Sequence, residues 1–197
     1  MSPESLAIWA ITGHRQIPSR TALLDAMLRH GEILLRTHKH VRGLTPLAEG
    51  ADRIFAEALS QLAIPYQVPL PLSQANYAKD FPASLDEFHR HLAKAERVFT
   101  LPRCPWLTEE DVIEQGNGRD MQYLSAGVYL VNQCDVLFSA WDGRPPRGLG
   151  GTAQITALFQ DFTSLKTWVT AEQYHYFLRL GQRDTAHDRT LISLDMV

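Results

Sequence analysis

The sequence predicts an α/β fold of the Rossmann-like, doubly wound type, with a mainly parallel sheet and helices on both faces. Short, mostly apolar runs of strand length alternate with longer segments in which apolar residues recur at helical spacing. The runs at 6–12 and 134–141 are the most apolar, which is typical of strands buried on both faces of a parallel sheet. Ligands of such sheets bind beyond the carboxyl ends of the strands, so the residues that follow strands are the candidates for function.

The first half of the chain contains four predicted strands and three predicted helices. Gly13 ends the first apolar run, and Ser19 is a suitable N-cap for the amphipathic segment after it. Gly50 ends the second run, and an apolar stripe from Ile54 to Leu62 follows. The predicted strands are 6–12, 41–48, 66–70 and 97–101, and the predicted helices are 20–38, 52–62 and 85–95.

The second half begins with a segment that lacks periodicity. Residues 102–118 contain two prolines and two glycines and predict a long loop, for which Gly116 and Gly118 could be the hinges of a lid. One Rossmann-like domain is predicted over 1–170, and a C-terminal extension with an edge strand at 190–197 is predicted over 171–197. The other predicted elements are helices at 119–132 and 152–162, strands at 134–141 and 165–170, and a glycine-rich loop at 144–151.

The composition excludes several classes of protein. With 197 residues, 45% of them hydrophobic and 21% charged, the chain can form a core and is neither disordered nor collagen-like. The net charge of −3 disfavours DNA binding and polybasic attachment to a membrane surface. The sequence shows no secretory signal and no apolar run long enough to span a bilayer, so we expect a cytoplasmic protein.

The cysteines and histidines do not predict a metal centre. Cys104 and Cys134 lack the CxxC spacing of zinc sites and cannot supply four thiolates. Two pairs of histidines have their members two positions apart, and on a helix such residues do not share a face. These pairs are His38/His40 and His89/His91. We therefore expect neither a metal nor a cofactor.

The tripeptide Gly13-His14-Arg15 directly follows the first strand. A glycine at this place lets the backbone approach a ligand closely, and the N–H groups after it can point at an anion. Arg15 could pair with a phosphate or a carboxylate through its planar guanidinium group. A tight turn with a solvated arginine is the alternative interpretation.

Acidic residues follow the second strand. Glu49, next to Gly50, resembles the acidic residue that accepts hydrogen bonds from ribose hydroxyls, and it is a candidate catalytic carboxylate. Asp52 is expected to cap the following helix, and Arg53 is expected to be solvated. Helix capping alone could account for this segment.

The glycine-rich segment 142–152 joins a buried strand to a helix. The helix opens at 150–152, where N–H groups and the helix dipole favour a phosphate, and Arg144 would strengthen such a site. The segment is not a Walker loop, Asp142 is a second candidate catalytic carboxylate, and a flexible surface loop is the alternative. The candidate ligand-binding residues of the three segments are Gly13, His14, Arg15, Glu49, Gly50, Asp142, Gly143, Arg147, Gly150, Gly151 and Thr152.

A fourth segment, 69–81, follows the third strand. The ring of Tyr77 could stack on a base there. Ordinary packing of Tyr77 and Phe81 is at least as strongly indicated.

Together these segments resemble the SLOG superfamily of Rossmann-like nucleotide-binding domains. Its members include the Lonely-Guy phosphoribohydrolases, once called lysine decarboxylases, and the DNA-processing A proteins. The resemblance depends on ITGHR after the first strand, EGADR after the second, and DVLFSAWDG leading into GLGGTAQI, and it covers about residues 6–170. It implies a doubly wound sheet, a homodimer, and a nucleotide or nucleotide-derived ligand whose phosphate lies over the helix that begins at 150–152.

The catalytic residues of the phosphoribohydrolases are not matched. Ile155 stands where the resemblance places the catalytic glutamate, Ala126 stands where it places the arginine, and Arg119 lies about two turns too early. The leading hypothesis is therefore a protein that binds a nucleotide-derived ligand, as a sensor or a processor of a signalling nucleotide. The alternatives are an N-glycosidic-bond hydrolase or transferase that uses Glu49 or Asp142, and an interaction module with an empty site.

Overall fold

A computed structural model, which describes residues 5–146, 148–183 and 188–196, shows a six-stranded sheet in which every pair of neighbouring strands is parallel. The strands are β1 (Leu6–Gly13), β2 (His40–Leu44), β3 (Tyr66–Leu70), β4 (Arg97–Thr100), β5 (Val136–Ala140) and β6 (Thr190–Leu194). Their order across the sheet is β4-β3-β2-β1-β5-β6. This arrangement confirms the predicted Rossmann-like α/β fold.

Eight α-helices and two short 3₁₀ helices are found in the part of the chain that the structure describes. The α-helices are α1 (Arg20–Leu34), α2 (Ala51–Gln61), α3 (Gln74–Ala78), α4 (Leu85–Lys94), α5 (Glu109–Ile113), α6 (Asn117–Gln133), α7 (Thr152–Gln160) and α8 (Ala171–Arg179), and the 3₁₀ helices span Pro82–Ser84 and Phe162–Thr167. None of the helices in the described ranges is long and apolar enough to cross a membrane.

Helices cover both faces of the sheet, as the alternation along β1 shows. Trp9 and Ile11 belong to one apolar cluster, which also contains residues of α1 and α2. Ile8 and Ala10 point to the opposite cluster, which contains residues of α6, α7 and α8. Because successive side chains of a strand point to opposite faces, β1 is apolar throughout.

Two predicted elements are wrong. The segment 102–118 is not one long loop, because α5 forms within it and α6 begins at Asn117. The strand predicted at 165–170 is not formed. The 3₁₀ helix Phe162–Thr167 and the turn that precedes α8 occupy these positions instead. Leu165 is buried in the core, whereas the strand position beside β5 is taken by β6.

The order of the strands produces a switch point beside β1. From β1 the chain passes to β2, β3 and β4 on one side, whereas β5 and β6 lie on the other. The connections leaving β1 and β5 therefore diverge at the carboxyl ends of these two neighbouring strands. A crevice opens at such a point in doubly wound sheets, and it is where their ligands bind.

The amino-terminal ends of β1 and β5 are held by a buried ion pair. Asp135 is fully buried, and its Oδ2 atom accepts hydrogen bonds from the Ile8 N–H at 2.8 Å and from Arg183 Nη1 at 3.0 Å. Arg183 also donates to the Leu6 carbonyl at 2.7 Å and to the Gln133 carbonyl at 2.9 Å. One side chain from beyond α8 thus ties the two central strands together.

We expect Arg183→Met to lower the free energy of unfolding by about 2–3 kcal/mol, because it leaves the buried Asp135 carboxylate without its cation. Urea denaturation followed by circular dichroism measures the change. Arg179→Met is the matched control, since Arg179 is exposed on α8, and its effect should stay below about 0.5 kcal/mol. Equal effects of the two substitutions would contradict a clamping role for Arg183.

Candidate functional site

A cleft with a volume of about 450 Å³ lies at the carboxyl ends of β1 and β5, at the switch point. We call it the strand-end cleft. Its walls come from 11–15 at the end of β1, from Asp52 on α2, from Tyr77 on α3, and from 148–153 at the start of α7. The structure therefore brings together segments that lie far apart in the sequence.

Two glycines allow α2 to begin directly against the end of β1. A Cβ atom on Gly13 would lie 2.3 Å from the Ala51 Cβ and 2.9 Å from the Ala140 Cβ. Gly50 has a φ of +79°, and a Cβ there would lie 2.3 Å from the Arg15 carbonyl oxygen. Gly13 lines the cleft, whereas Gly50 supports it from behind.

The histidine of the first segment meets the aspartate after β5 across the cleft. His14 Nε2 lies 3.2 Å from Asp142 Oδ1, and the His14 N–H donates to the Ala140 carbonyl at 3.2 Å. The Arg144 N–H donates to Asp142 Oδ1 at 3.1 Å. This hydrogen bond and the neighbouring His14 hold the pKa of Asp142 below its ordinary value. Asp142 is therefore an anion at neutral pH and is poorly suited to donate a proton.

The two described arginines of the cleft are accessible. Arg15 is exposed, has no ion-pair partner among the described residues, and lies with its guanidinium carbon 5.7 Å from the Phe81 ring centre. Arg144 has a side chain that is 70% exposed, and its Nε lies 3.6 Å from Asp142 Oδ2. Arg147, predicted from the sequence to join this site, lies outside the described residues.

The loop before α7 presents the start of that helix to the cleft. Gly150 has a φ of +74°, and a Cβ on it would lie 2.8 Å from the backbone nitrogen of Leu124. Gly151 is the N-cap and provides no side chain to the first N–H groups of the helix. Thr152 is buried and lines the cleft beside Gly151. An uncapped first turn of this kind favours an anion. Gly143, with a φ of +76° and open space around it, serves the turn that leads into the loop.

Glu49, by contrast, does not line the cleft. Its Oε1 accepts a hydrogen bond from the Ser84 hydroxyl at 2.5 Å. Ser84 also accepts from Arg53 Nη1 at 2.8 Å, and Arg53 pairs with Glu87 at 2.9 Å. Arg53 is fully buried, so the expectation that it is solvated is wrong. These residues form a polar network that joins α2 to the start of α4.

Asp52 is the cleft residue whose importance the sequence reasoning missed. The N-cap of α2 is Gly50, so Asp52 lies within the first turn of the helix instead of capping it. The side chain lines the cleft, the residue is only 6% exposed, and its Oδ2 accepts from the Ala48 N–H at 3.1 Å. Burial raises the pKa of Asp52 to about 7, against the opposing effects of that hydrogen bond, Arg15 and Arg53. The only sequence signal was an acidic residue two positions after the glycine that ends a strand.

Tyr77 lines the cleft but is only 2% exposed. Its ring contacts Phe81 edge-on at a centroid distance of 4.8 Å and Phe88 at 5.8 Å. Burial raises the pKa of Tyr77 well above its ordinary value, so its hydroxyl is neutral and can donate. Little of the ring is open to a stacking base, and the hydroxyl is the part of Tyr77 with chemical capacity.

A buried ion pair anchors the segment beside the cleft mouth. Arg119 Nη2 donates to Asp80 Oδ1 at 2.8 Å, and the two side chains are 2% and 3% exposed. Arg119 also donates to the Tyr123 hydroxyl at 2.9 Å and to the Val112 carbonyl at 2.7 Å, and the Tyr123 hydroxyl donates to Asp80. The guanidinium is thus committed to holding α5 and α3 against α6. A Cβ on Gly118 would lie 2.5 Å from the Asp111 carbonyl oxygen. The chain is therefore tightly packed at Gly118, one of the two glycines that the sequence suggested as hinges of a lid.

Comparisons with known proteins support the fold. No family model and no curated protein matches the sequence. Among solved structures, the chain is similar to the X-ray structure of DNA processing protein A (DprA) from Streptococcus pneumoniae, with a TM-score of 0.50 and 10% sequence identity. The match covers 92% of this chain and 59% of that one, so this chain spans about three-fifths of the length of that protein. At this identity the similarity shows a Rossmann-like fold.

Asp52→Asn should change how stability depends on pH. Because the pKa of Asp52 is raised to about 7 from 3.8, its stabilising contribution is complete below about pH 3.8, falls as the pH rises, and is lost above about pH 7. The free energy of unfolding of Asp52→Asn, relative to that of wild type, should therefore increase by about 2–4 kcal/mol between pH ~4 and pH ~8.5. Urea denaturation at both pH values measures this gain. Asp25→Asn, an exposed carboxylate on α1, is the control and should show little effect at either pH. A pH-independent effect of Asp52→Asn would contradict the raised pKa.

Arg119→Met should destabilise the protein by about 3–5 kcal/mol, because the buried Asp80 carboxylate loses its partner. The segment 102–118 should also become easier to cleave in native-state proteolysis. Arg103→Met is the matched control: Arg103 pairs with Glu109 at 2.7 Å, but both side chains are exposed, so its effect should be below about 1 kcal/mol. If cleavage in the segment is as slow in Arg119→Met as in wild type, the anchoring role is wrong.

Proposed function

We propose that the strand-end cleft binds a nucleotide or nucleotide-derived ligand, as a sensor or processor of that ligand. One observation carries the proposal. The exposed Arg15 and Arg144 and the uncapped first turn of α7 all line the same cleft, at the switch point of the sheet. Guanidinium groups and the N–H groups of a helix start both favour a phosphate. The phosphate would lie against 150–152, in the cleft that Arg15 also lines from the end of β1.

The remainder of the cleft suits a nucleoside. A volume of about 450 Å³ is within the range of sites that hold small organic ligands. The lining combines aromatic and apolar side chains, such as Trp141, Tyr123 and Pro146, with the carboxyl groups of Asp52 and Asp120. Such a lining fits a molecule with a flat ring system at one end and a charged group at the other.

Binding has better support than cleavage of an N-glycosidic bond through the carboxylates predicted from the sequence. Glu49 is hydrogen-bonded to Ser84 and lies outside the cleft lining, and Asp142 is held in its ionised form. A glycosidic acid catalyst must carry a proton near the leaving base, which neither residue supplies. A homodimer and a cytoplasmic location remain predictions.

The test is a thermal-shift and calorimetry screen against nucleoside mono- and diphosphates, dinucleotides and cyclic nucleotides at about 1 mM, with mass spectrometry of the same samples. A ligand at a hundred times its Kd should stabilise the protein by about 2.7 kcal/mol. For a compound that binds, Arg15→Ala should weaken affinity about 10- to 100-fold, as expected for a lost charge-assisted hydrogen bond. Arg29→Ala, an exposed arginine of α1 outside the cleft, should leave affinity unchanged.

The screen separates the competing functions. Stabilisation with intact compound indicates a binding or sensing domain, and release of free base indicates an enzyme. If no compound in the screen stabilises the protein, nucleotide binding is wrong and the interaction module is favoured.

A further inference from the structure

Three buried aspartate side chains in the described ranges differ in how their charge is balanced. Asp135 has Arg183 at 3.0 Å and Asp80 has Arg119 at 2.8 Å. Asp52 has no arginine or lysine at ion-pair distance in the described part of the chain. Its neighbour Arg53 directs its hydrogen bonds elsewhere, to the Leu47 carbonyl, Ser84 and Glu87. The aspartate without a cation is the one that lines the cleft.

The carboxyl group of Asp52 also has unused acceptor capacity. Oδ2 accepts one hydrogen bond from the Ala48 N–H, and no donor within the described residues serves Oδ1. A buried ionised carboxylate ordinarily accepts several hydrogen bonds, because each unmet one is costly. On the same wall, the Tyr77 hydroxyl makes no hydrogen bond to another described residue and interacts electrostatically with Asp52. Asp52 Oδ1 and the Tyr77 hydroxyl, neither of them bonded to another described residue, thus belong to residues that line the cleft.

We propose that Asp52 and Tyr77 form a subsite that binds the hydroxyl-bearing sugar of the ligand, with the Asp52 carboxylate accepting hydrogen bonds from its vicinal hydroxyls. This inference is built on the proposed function and adds to it the group that recognises the sugar. Vicinal hydroxyls are neutral hydrogen-bond donors. A carboxylate can accept a hydrogen bond from each of the two hydroxyls without a second charge being buried. An anion is disfavoured at this place by Asp52 itself. Glu49, predicted from the sequence for this role, is occupied by Ser84.

The subsite makes sugar recognition depend on pH. Arg15 from the β1 end and Arg53 from its own helix lower the pKa of Asp52 against the effect of burial, and Asp52 in turn raises the pKa of Tyr77 on α3. Because burial raises the pKa of Asp52 to about 7, the free protein holds a neutral acid below that pH and an anion above it. A hydroxyl binds a carboxylate more strongly than a neutral acid. The preference for a sugar with hydroxyls should therefore grow as the pH rises through about 7.

The experiment compares the four common ribonucleoside 5′-monophosphates with their 2′,3′-dideoxy counterparts by calorimetry at pH ~5.5 and pH ~8.5. The readout is the ratio of the two affinities, in which the titration of the shared phosphate near pH 6 and of protein groups that do not contact the sugar cancels. For wild type we expect a ratio of at least about tenfold at the higher pH and of about threefold or less at the lower pH.

Asp52→Asn should give a ratio of only a few fold at both pH values, because an amide cannot ionise. Its affinity for the dideoxy compounds should stay within about threefold of wild type, since they lack the hydroxyls. Glu49→Gln is the matched control: it removes a carboxylate three positions away that lies outside the cleft lining, and the ratio should keep its dependence on pH.

Each outcome decides between the two proposals. If ribonucleotides and dideoxynucleotides bind equally well in wild type at both pH values, the sugar subsite is wrong while nucleotide binding stands. If the ratio keeps its pH dependence in Asp52→Asn, another group recognises the sugar and the inference fails. If none of the compounds binds and the wider nucleotide screen is also negative, the proposed function fails and the subsite fails with it.

Discussion

The close contact between the end of β1 and the start of α2 determines the shape of the whole site. Gly13 packs against Ala51 and Ala140 with no space for a side chain, and Gly50 adopts a left-handed conformation against the backbone of 14–15. The Ala51 N–H donates to the His14 carbonyl at 3.1 Å, which fixes the helix on the strand end. Because α2 begins here and no later, its first turn carries Asp52 into the cleft wall.

The distribution of buried charge follows the same architecture. Arg183 balances Asp135 at the amino-terminal ends of the central strands, and Arg119 balances Asp80 beside the cleft mouth. Removing one partner from either pair would leave a buried charge unmatched, so both pairs specify where the C-terminal segment and α5 pack. Asp52 lacks such a partner, and burial raises its pKa at the place where a ligand could complete its hydrogen bonds. A group that destabilises the folded protein when ionised is common at functional sites.

The sequence predictions succeeded where one physical pattern dominated. The apolar runs at β1 and β5 identified strands covered on both faces, and the stripe from Ile54 to Leu62 identified α2. Prediction failed at 165–170, where a short apolar segment is equally compatible with a strand and with a 3₁₀ turn that buries one leucine. It failed also at 102–118, where the prolines and glycines concealed a capping box from Thr108 to Asp111 that starts α5.

The amino-acid sequence by itself determined the mainly parallel sheet and the segments that follow the strands, because strand-length apolar runs and glycines are local signals. The order of the strands, and with it the switch point beside β1, came from the tertiary structure. The sequence placed Gly13–Arg15 and the start of α7 among the candidates, and the structure brings both to the strand-end cleft. Only the tertiary structure decided that Glu49 bonds to Ser84 while Asp52 lines the cleft. The two carboxylates are three positions apart in the sequence, and their difference depends on where α2 begins and on what packs around it. Burial and the supply of hydrogen-bond donors come from residues distant in the chain, and they set the protonation of Asp52.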